Sequence, residues 1–158
     1  MLVEALKLYG THEAPGEADN PVIIEWAKEL GLADYKRDST AWCGLFCAIC
    51  AHRAGKSVPA KPLWALNWKQ FGLGVTKPML GDVLVFSRGE GFGHVGIYVG
   101  EDPSSFHVIG GNQSDQVSIT RFDRGRLVAA RRPLYSVQPP NVRPVHLAAS
   151  GELSTNEA

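Results

Sequence analysis

The chain has 158 residues, of which 44% are apolar and 20% charged, which suits one domain with a buried core. Its 16 basic and 16 acidic side chains cancel, so no basic excess favours nucleic acid or an anionic membrane surface as a partner. No stretch approaches the roughly 20 apolar residues that a membrane span needs. The first residues also lack a basic region followed by an apolar one, so we expect no secretory signal.

The first half of the chain is predicted to be helical. Asn20 followed by Pro21 is a typical helix start. Ser39 or Thr40 is the expected cap of a later helix that is apolar almost all round, and that helix is therefore predicted to be buried. The spacing of apolar residues predicts four helices, over about residues 2–9, 21–30, 39–54 and 63–71.

From Gly81 onward, apolar and polar residues alternate, and this pattern predicts β-strands. Short gaps rich in Gly, Pro, Asp and Ser favour an antiparallel meander. Helices followed by strands predict an α+β fold in which the helices pack on one side of the sheet. We expect a domain of residues 1–135 and an extended or mobile C-terminal tail of residues 136–158, which is rich in proline and polar residues. The five predicted strands span about residues 82–87, 94–99, 105–109, 116–120 and 127–131.

The three cysteines, Cys43, Cys47 and Cys50, lie close together near the start of the third helix. An odd, clustered set favours reduced thiols over a disulfide framework. At the start of a helix, the helix dipole would lower the pKa of the Cys43 thiol, and backbone N–H groups could stabilise an oxyanion. Cys47 and Cys50 are predicted to be small buried hydrophobes, and the same role is the alternative for Cys43. A buried helix cannot wrap around an iron–sulfur cluster, so no metal or cofactor is predicted.

His94 opens a predicted strand in which Val95, Ile97 and Val99 face the core and the histidine faces the other way. Histidine is the side chain best suited to accept a proton from a thiol near pH 7. The alternative is a solvated surface histidine. His94 is therefore a candidate general base for Cys43.

Asn112 is the candidate third member of the site. If the next hairpin turns at residues 101–104, the cross-strand partner of position 94 lies close to position 111. Asn112 would then lie beside His94, where its side-chain oxygen could accept a hydrogen bond from the imidazole and fix its tautomer. The alternative is that Asn112 only ends the strand.

Four segments of the chain form a recognisable set. They are Ala41-Trp42-Cys43-Gly44-Leu45-Phe46, Pro78-Met79-Leu80-Gly81-Asp82-Val83-Leu84-Val85-Phe86, Gly93-His94-Val95-Gly96-Ile97-Tyr98 and Gly110-Gly111-Asn112-Gln113. In this order they resemble the CHAP family, the cysteine, histidine-dependent amidohydrolases and peptidases related to NlpC-type and papain-like enzymes. The resemblance extends over about residues 2–133 and implies a papain-like fold with N-terminal helices on a five- to six-stranded antiparallel sheet.

The resemblance also implies hydrolysis of an amide bond in bacterial peptidoglycan, by a phage lysin or an antibacterial effector. Carried over, Cys43 is the nucleophile, His94 the base and Asn112 the orienting residue. Many CHAP enzymes have a glutamate two residues before that asparagine, whereas Gly110 stands here. The expected triad is therefore Cys-His-Asn.

Three aromatic residues, Trp42, Trp64 and Tyr98, are predicted to line a groove that holds sugar rings or the stem peptide. The expected partner is peptidoglycan, without nucleic acid or membrane insertion, and the chain is expected to be a monomer. Synthesis in the cytoplasm and action at the wall or periplasm would require release by another system. The alternatives are a thiol-dependent deamidase or acyltransferase with another substrate, and a catalytically silent wall-binding module.

Overall fold

The computed structural model describes residues 1–157. Three α-helices precede the sheet, and Asn20 caps the second of them by accepting a hydrogen bond from the Val22 N–H, as its sequence predicts. A 3₁₀ helix, Ala65–Gln70, replaces the predicted fourth α-helix. No helix within the described residues is long and apolar enough to cross a membrane. The α-helices are α1 (Leu2–Lys7), α2 (Pro21–Glu29) and α3 (Cys43–Arg53).

Six antiparallel strands form one sheet in the order β1-β6-β2-β3-β4-β5. The α+β architecture is therefore confirmed. Strand β1 was not predicted, because it has only three residues and pairs late in the chain with β6. The strands are β1 (Leu73–Val75), β2 (Val83–Gly89), β3 (Phe92–Glu101), β4 (Ser105–Gly110), β5 (Ser118–Asp123) and β6 (Leu127–Arg132).

The two faces of the sheet carry separate apolar clusters. On one face, α3 packs against alternate strand residues, among them Val85, Val95 and Ile97. On the other face, Phe86, Tyr98 and five further side chains form a second cluster. Alternation along β3 thus places His94 on the face opposite the helices, as its sequence pattern predicts.

The C-terminal segment is extended and lies against the sheet. Leu147 N–H donates to Glu101 O at 2.8 Å, and Glu101 N–H donates to Val145 O at 2.8 Å. Further along, Ser154 N–H donates to Arg121 O at 2.8 Å. Because Arg121 lies on β5, this part of the segment covers the outer edge of the sheet.

Helix α3 begins four residues later than Ser39, which was an expected cap. Its N-cap is Trp42, and neither Ser39 nor Thr40 caps it. Cys43 is consequently the first residue of the helix. The later start moves the thiol to the position where backbone N–H groups have no partner inside the helix.

Candidate active site

Cys43 lies at the point where α3 meets β3. Beyond the Ile97–Ile109 pair, β3 has no partner on β4, so its edge is open towards the start of the helix. The backbone N–H of Val95, on this open stretch, donates a hydrogen bond to the Cys43 sulfur. The structure therefore brings the thiol to the residue that follows His94.

The Cys43 thiol is in its neutral form at rest. Burial, with 5% of the residue exposed, raises its pKa above the usual value. Hydrogen bonds from the N–H groups of Val95 and Gly44, and the charge of Arg88, act in the opposite direction and do not compensate. The prediction that the helix start lowers this pKa is therefore wrong for the resting protein, because desolvation is the larger effect.

His94 is fully buried, and its tautomer follows from its neighbours. Its Nε2 lies 3.0 Å from Gln113 Oε1. The Gln113 amide nitrogen donates to Ser118 O at 2.7 Å and to Val108 O at 3.3 Å, which fixes the amide orientation with the oxygen towards the imidazole. An amide oxygen only accepts, so the proton is on His94 Nε2. Nδ1 is then an unprotonated acceptor.

Nδ1 of His94 is buried and has no hydrogen-bond partner among residues 1–157. The imidazole ring stacks on Phe122, with ring centroids 5.0 Å apart and planes at 11°. Burial lowers the pKa of His94 to about 4, so the ring is neutral at pH 7. The site at rest thus has a protonated thiol and a neutral, oriented base.

The prediction that the Asn112 side chain binds the imidazole of His94 is corrected by the structure. The Asn112 side chain makes no hydrogen bond to the imidazole; its oxygen accepts from Trp42 N–H at 3.4 Å and its nitrogen donates to Glu13 Oε1 at 3.2 Å. The reason is that β4 ends at Gly110 and Asn112 adopts a left-handed conformation, with φ of 59°. Asparagine tolerates that conformation better than most residues. The turn directs Gln113 back to His94, so Gln113 replaces Asn112 as the orienting side chain.

Asn112 and Glu13 together hold the start of α3. The Trp42 indole N–H donates to Glu13 Oε1 at 2.7 Å, the same oxygen that accepts from Asn112. The sequence patterns did not identify Glu13 or Gln113 as site residues. The turn at residues 110–113 brings Gln113 to the site, and main-chain pairing of residues 12–13 with residues 115–116 brings Glu13 there. The Gly110-Gly111 pair was the available signal, because it marks a bend at which a simple register count fails.

The predicted groove aromatics divide into one exposed and two buried residues. Trp64 is 56% exposed and lines a cleft of about 150 Å³ together with Cys43, Arg88 and Phe92. Trp42 is fully buried against Trp26, with ring centroids 6.1 Å apart. The prediction that Trp42 contacts substrate is therefore corrected.

Tyr98 is corrected in the same way. It is fully buried in the second apolar cluster, and its hydroxyl donates to Glu101 Oε1 at 2.9 Å. Both Tyr98 and Trp42 have structural roles, so Trp64 is the exposed member of the three predicted groove aromatics.

A family comparison gives the context for this geometry. The family model of the CHAP domain matches residues 35–112, which include Cys43 and His94. The chain belongs to the CHAP family. CHAP domains are generally hydrolases of the amidase and peptidase type, and the α+β fold is consistent with the papain-like CHAP fold. A comparison with curated proteins found no significant match.

The CHAP match ends at Asn112, one residue before the side chain that holds His94. The family match and the geometry are thus separate observations. The match covers the sequence around Cys43 and His94, whereas the structure identifies Gln113 as the side chain that contacts the imidazole.

Proposed function

We propose that this CHAP protein hydrolyses an amide bond of bacterial peptidoglycan, with Cys43 as nucleophile, His94 as general base and Gln113 as the residue that orients the imidazole. One observation carries the proposal: the Gln113 amide forces the proton onto Nε2 and leaves Nδ1 of a buried histidine free to accept. A purely structural histidine would normally have both ring nitrogens paired.

In the proposed mechanism His94 Nδ1 takes the thiol proton as the Cys43 sulfur attacks the carbonyl carbon of the substrate amide. The carbonyl oxygen becomes an oxyanion, and the Cys43 N–H, which has no acceptor inside the helix, donates to it. The imidazolium then protonates the leaving amine, and a thioester remains. His94 then takes a proton from a water molecule as the water attacks the thioester. The acid is released, and the imidazolium returns the proton to the sulfur.

Gln113 stabilises the imidazolium that forms in the first step. Its oxygen accepts from Nε2–H in both protonation states, so the ring does not need to turn during proton transfer. Because His94 is desolvated, the acquired charge depends on this hydrogen bond and on nearby carboxylates.

The substrate bond is proposed to be either the amide between muramic acid and the stem peptide or an amide within the peptide. Trp64, exposed beside Cys43, offers a flat apolar surface for a sugar ring or a peptide side chain. The protein is proposed to act as a monomer without a cofactor, as a phage lysin or antibacterial effector that another system releases to the wall.

The direct test is digestion of purified sacculi by the full chain. We expect new amine and carboxyl ends in the wild-type digest and none above background with Cys43→Ala. Cys47→Ala is the matched control, because Cys47 is fully buried one turn further along α3 and should not affect chemistry. Sacculi left intact by the wild type, or cleaved equally by Cys43→Ala, would refute the proposal. Release of ammonia or formation of new amide bonds would instead indicate a deamidase or a transferase.

A further inference from the structure

The C-terminal segment brings a carboxylate to the active-site region. The Glu157 side chain is 3% exposed and makes a two-pronged contact with Arg126, at 3.0 Å and 2.7 Å. Arg88 Nε lies 3.8 Å from the same carboxylate. A fork of this kind is the geometry with which arginine recognises carboxylates.

Arg126 is held by groups outside this segment as well as by the segment, where its Nη1 donates to Ser154 O at 3.3 Å. Its Nε donates to Ser87 O at 3.2 Å, and its guanidinium lies over the Phe122 ring, 5.5 Å from the centroid. The short turn that carries it is capped by Asp123, whose carboxylate accepts from Gly125 N–H. The arginine fork therefore has its own support and does not depend on Glu157 for its position.

The main chain of the segment pairs with the edge strand of the sheet at one isolated bridge. Leu153 forms a parallel bridge with Arg121 on β5, and Ser154 N–H donates to Arg121 O at 2.8 Å. Asn156 O accepts from Ser114 N–H at 3.0 Å, one residue after Gln113. An extended chain that pairs with an edge strand and places one side chain in a pocket is a common mode of peptide recognition.

This groove adjoins the cleft at the nucleophile. Arg88 contacts Glu157 in this groove and lines a pocket whose wall includes Leu153 and Glu157. It also lines the cleft that contains Cys43 and Trp64. The Glu157 carboxylate is close enough to His94 for their charges to interact, and it raises the pKa of the imidazole against the larger effect of burial. A carboxylate in the groove thus acts on the candidate base.

We propose that this groove is a subsite of the active site that binds an extended peptide carrying a carboxylate, and that Leu153–Glu157 occupies it in competition with substrate. Arg126 and Arg88 would bind the carboxylate, and the β5 edge would bind the peptide main chain. The identity of the competing peptide as the acidic stem peptide of peptidoglycan rests on the proposed function. The existence of the subsite does not depend on that function.

The first experiment measures binding without catalysis. A fluorescein-labelled peptide with the sequence of residues 150–157 is titrated into the full chain and followed by anisotropy. In Glu157→Gln the C-terminal segment should be held more weakly in the groove. We therefore expect this variant to bind the peptide at least tenfold more tightly than the wild type. The exposed Glu152→Gln is the matched control and should behave as the wild type.

Two further variants identify the carboxylate contact. Adding Arg126→Met to Glu157→Gln should abolish binding, and a peptide with glutamine at the Glu157 position should bind weakly. If Glu157→Gln does not fold, Glu157→Asp, which keeps the charge and loses the two-pronged reach, takes its place. No binding by a folded Glu157 variant, or binding unaffected by Arg126→Met, would overturn the proposal.

The second experiment uses sacculi and separates the two proposals. Glu157→Gln should have a KM at least threefold below that of the wild type. Its kcat should change little, because in the complex the carboxylate of the bound substrate takes the place of Glu157 near His94. If the wild type does not cleave sacculi, the proposed function fails while the peptide titration still tests the subsite. If the wild type cleaves them and Glu157→Gln has an unchanged KM and binds no peptide, the subsite fails alone.

Discussion

The length and direction of the Gln113 side chain determine which nitrogen of the His94 imidazole carries the proton. The Gln113 amide nitrogen is bound to two main-chain oxygens, on Val108 and Ser118, so its oxygen has a single orientation towards His94. An asparagine at position 112 cannot take this role, because its side chain is already bonded to Trp42 and Glu13. The base is therefore oriented by a glutamine that is itself fixed on both sides.

Replacing Gln113 by alanine should lower kcat far more than it changes KM. The buried Nε2–H would lose its acceptor, at a cost of roughly 1–3 kcal/mol, or about 5- to 150-fold in rate. Sacculus digestion at saturating and limiting substrate measures both constants. Asn112→Gly, which keeps the left-handed backbone, is the comparison, since its effect should appear as lower stability from a loosened helix start. Equal kcat in Gln113→Ala and the wild type would argue against the orienting role.

The resting state of Cys43 has a measurable consequence. Because burial raises the pKa of the thiol, alkylation by iodoacetamide should be slow at pH 6 to 8 and should accelerate above pH 9. Peptide mass spectrometry locates the modified residue, and the fully buried Cys47 and Cys50 serve as internal references. A rate at Cys43 that has already levelled off below pH 7 would indicate a thiolate–imidazolium pair instead.

Helix α3 is the element that fixes the position of Cys43, and its second residue has no room for a side chain. A Cβ at Gly44 would lie 2.2 Å from Pro62 O and 2.8 Å from Leu63 O. This close approach brings the loop before the 3₁₀ helix, and with it Trp64, to the cleft. The glycine thus links the start of α3 to the exposed wall of the site.

Gly44→Ala should destabilise the protein although alanine is the better helix former. Helix propensity alone favours alanine by about 1 kcal/mol, whereas forcing the loop away costs about 1–3 kcal/mol. Thermal unfolding should show a lower Tm, and digestion of sacculi should be weaker because Trp64 moves with the loop. A higher Tm in the variant would show that the loop yields easily.

Sequence patterns predicted the elements better than the junctions between them. Alternation identified the strands around Val85 and Val95, because one side of each strand packs on α3. The start of α3 and the turn after Gly110 were missed by a few residues, since both depend on contacts between distant segments. The Trp42–Asn112 hydrogen bond, across 70 positions of the chain, illustrates such a contact. Cys43 and His94 could be proposed from the sequence because each lies on a well-patterned element, while Gln113 lies on a turn.

At the scale of the whole molecule, the sheet separates the apolar cluster under the helices from the second apolar cluster. The candidate site includes one residue from each side. The helices cover one face, and the second apolar cluster and the C-terminal segment cover the other. Cys43 belongs to the helical side and His94 to the opposite one. The open edge of β3 is the place where the two can meet, because β4 does not pair with β3 beyond the Ile97–Ile109 pair.

Burial of a neutral His94 makes folding sensitive to acid. Its pKa is about 4 in the folded protein and 6.5 when unfolded, so between these values the unfolded chain binds a proton that the folded one does not. The contribution to stability is complete above pH 6.5 and is lost as the pH falls towards 4, by about 3 kcal/mol. Urea unfolding of the wild type and His94→Gln over this pH range isolates the effect, because the other titrating groups are shared. We expect the wild type to lose stability more steeply than the variant, and parallel curves would mean that the imidazole is already hydrated or charged in the folded protein.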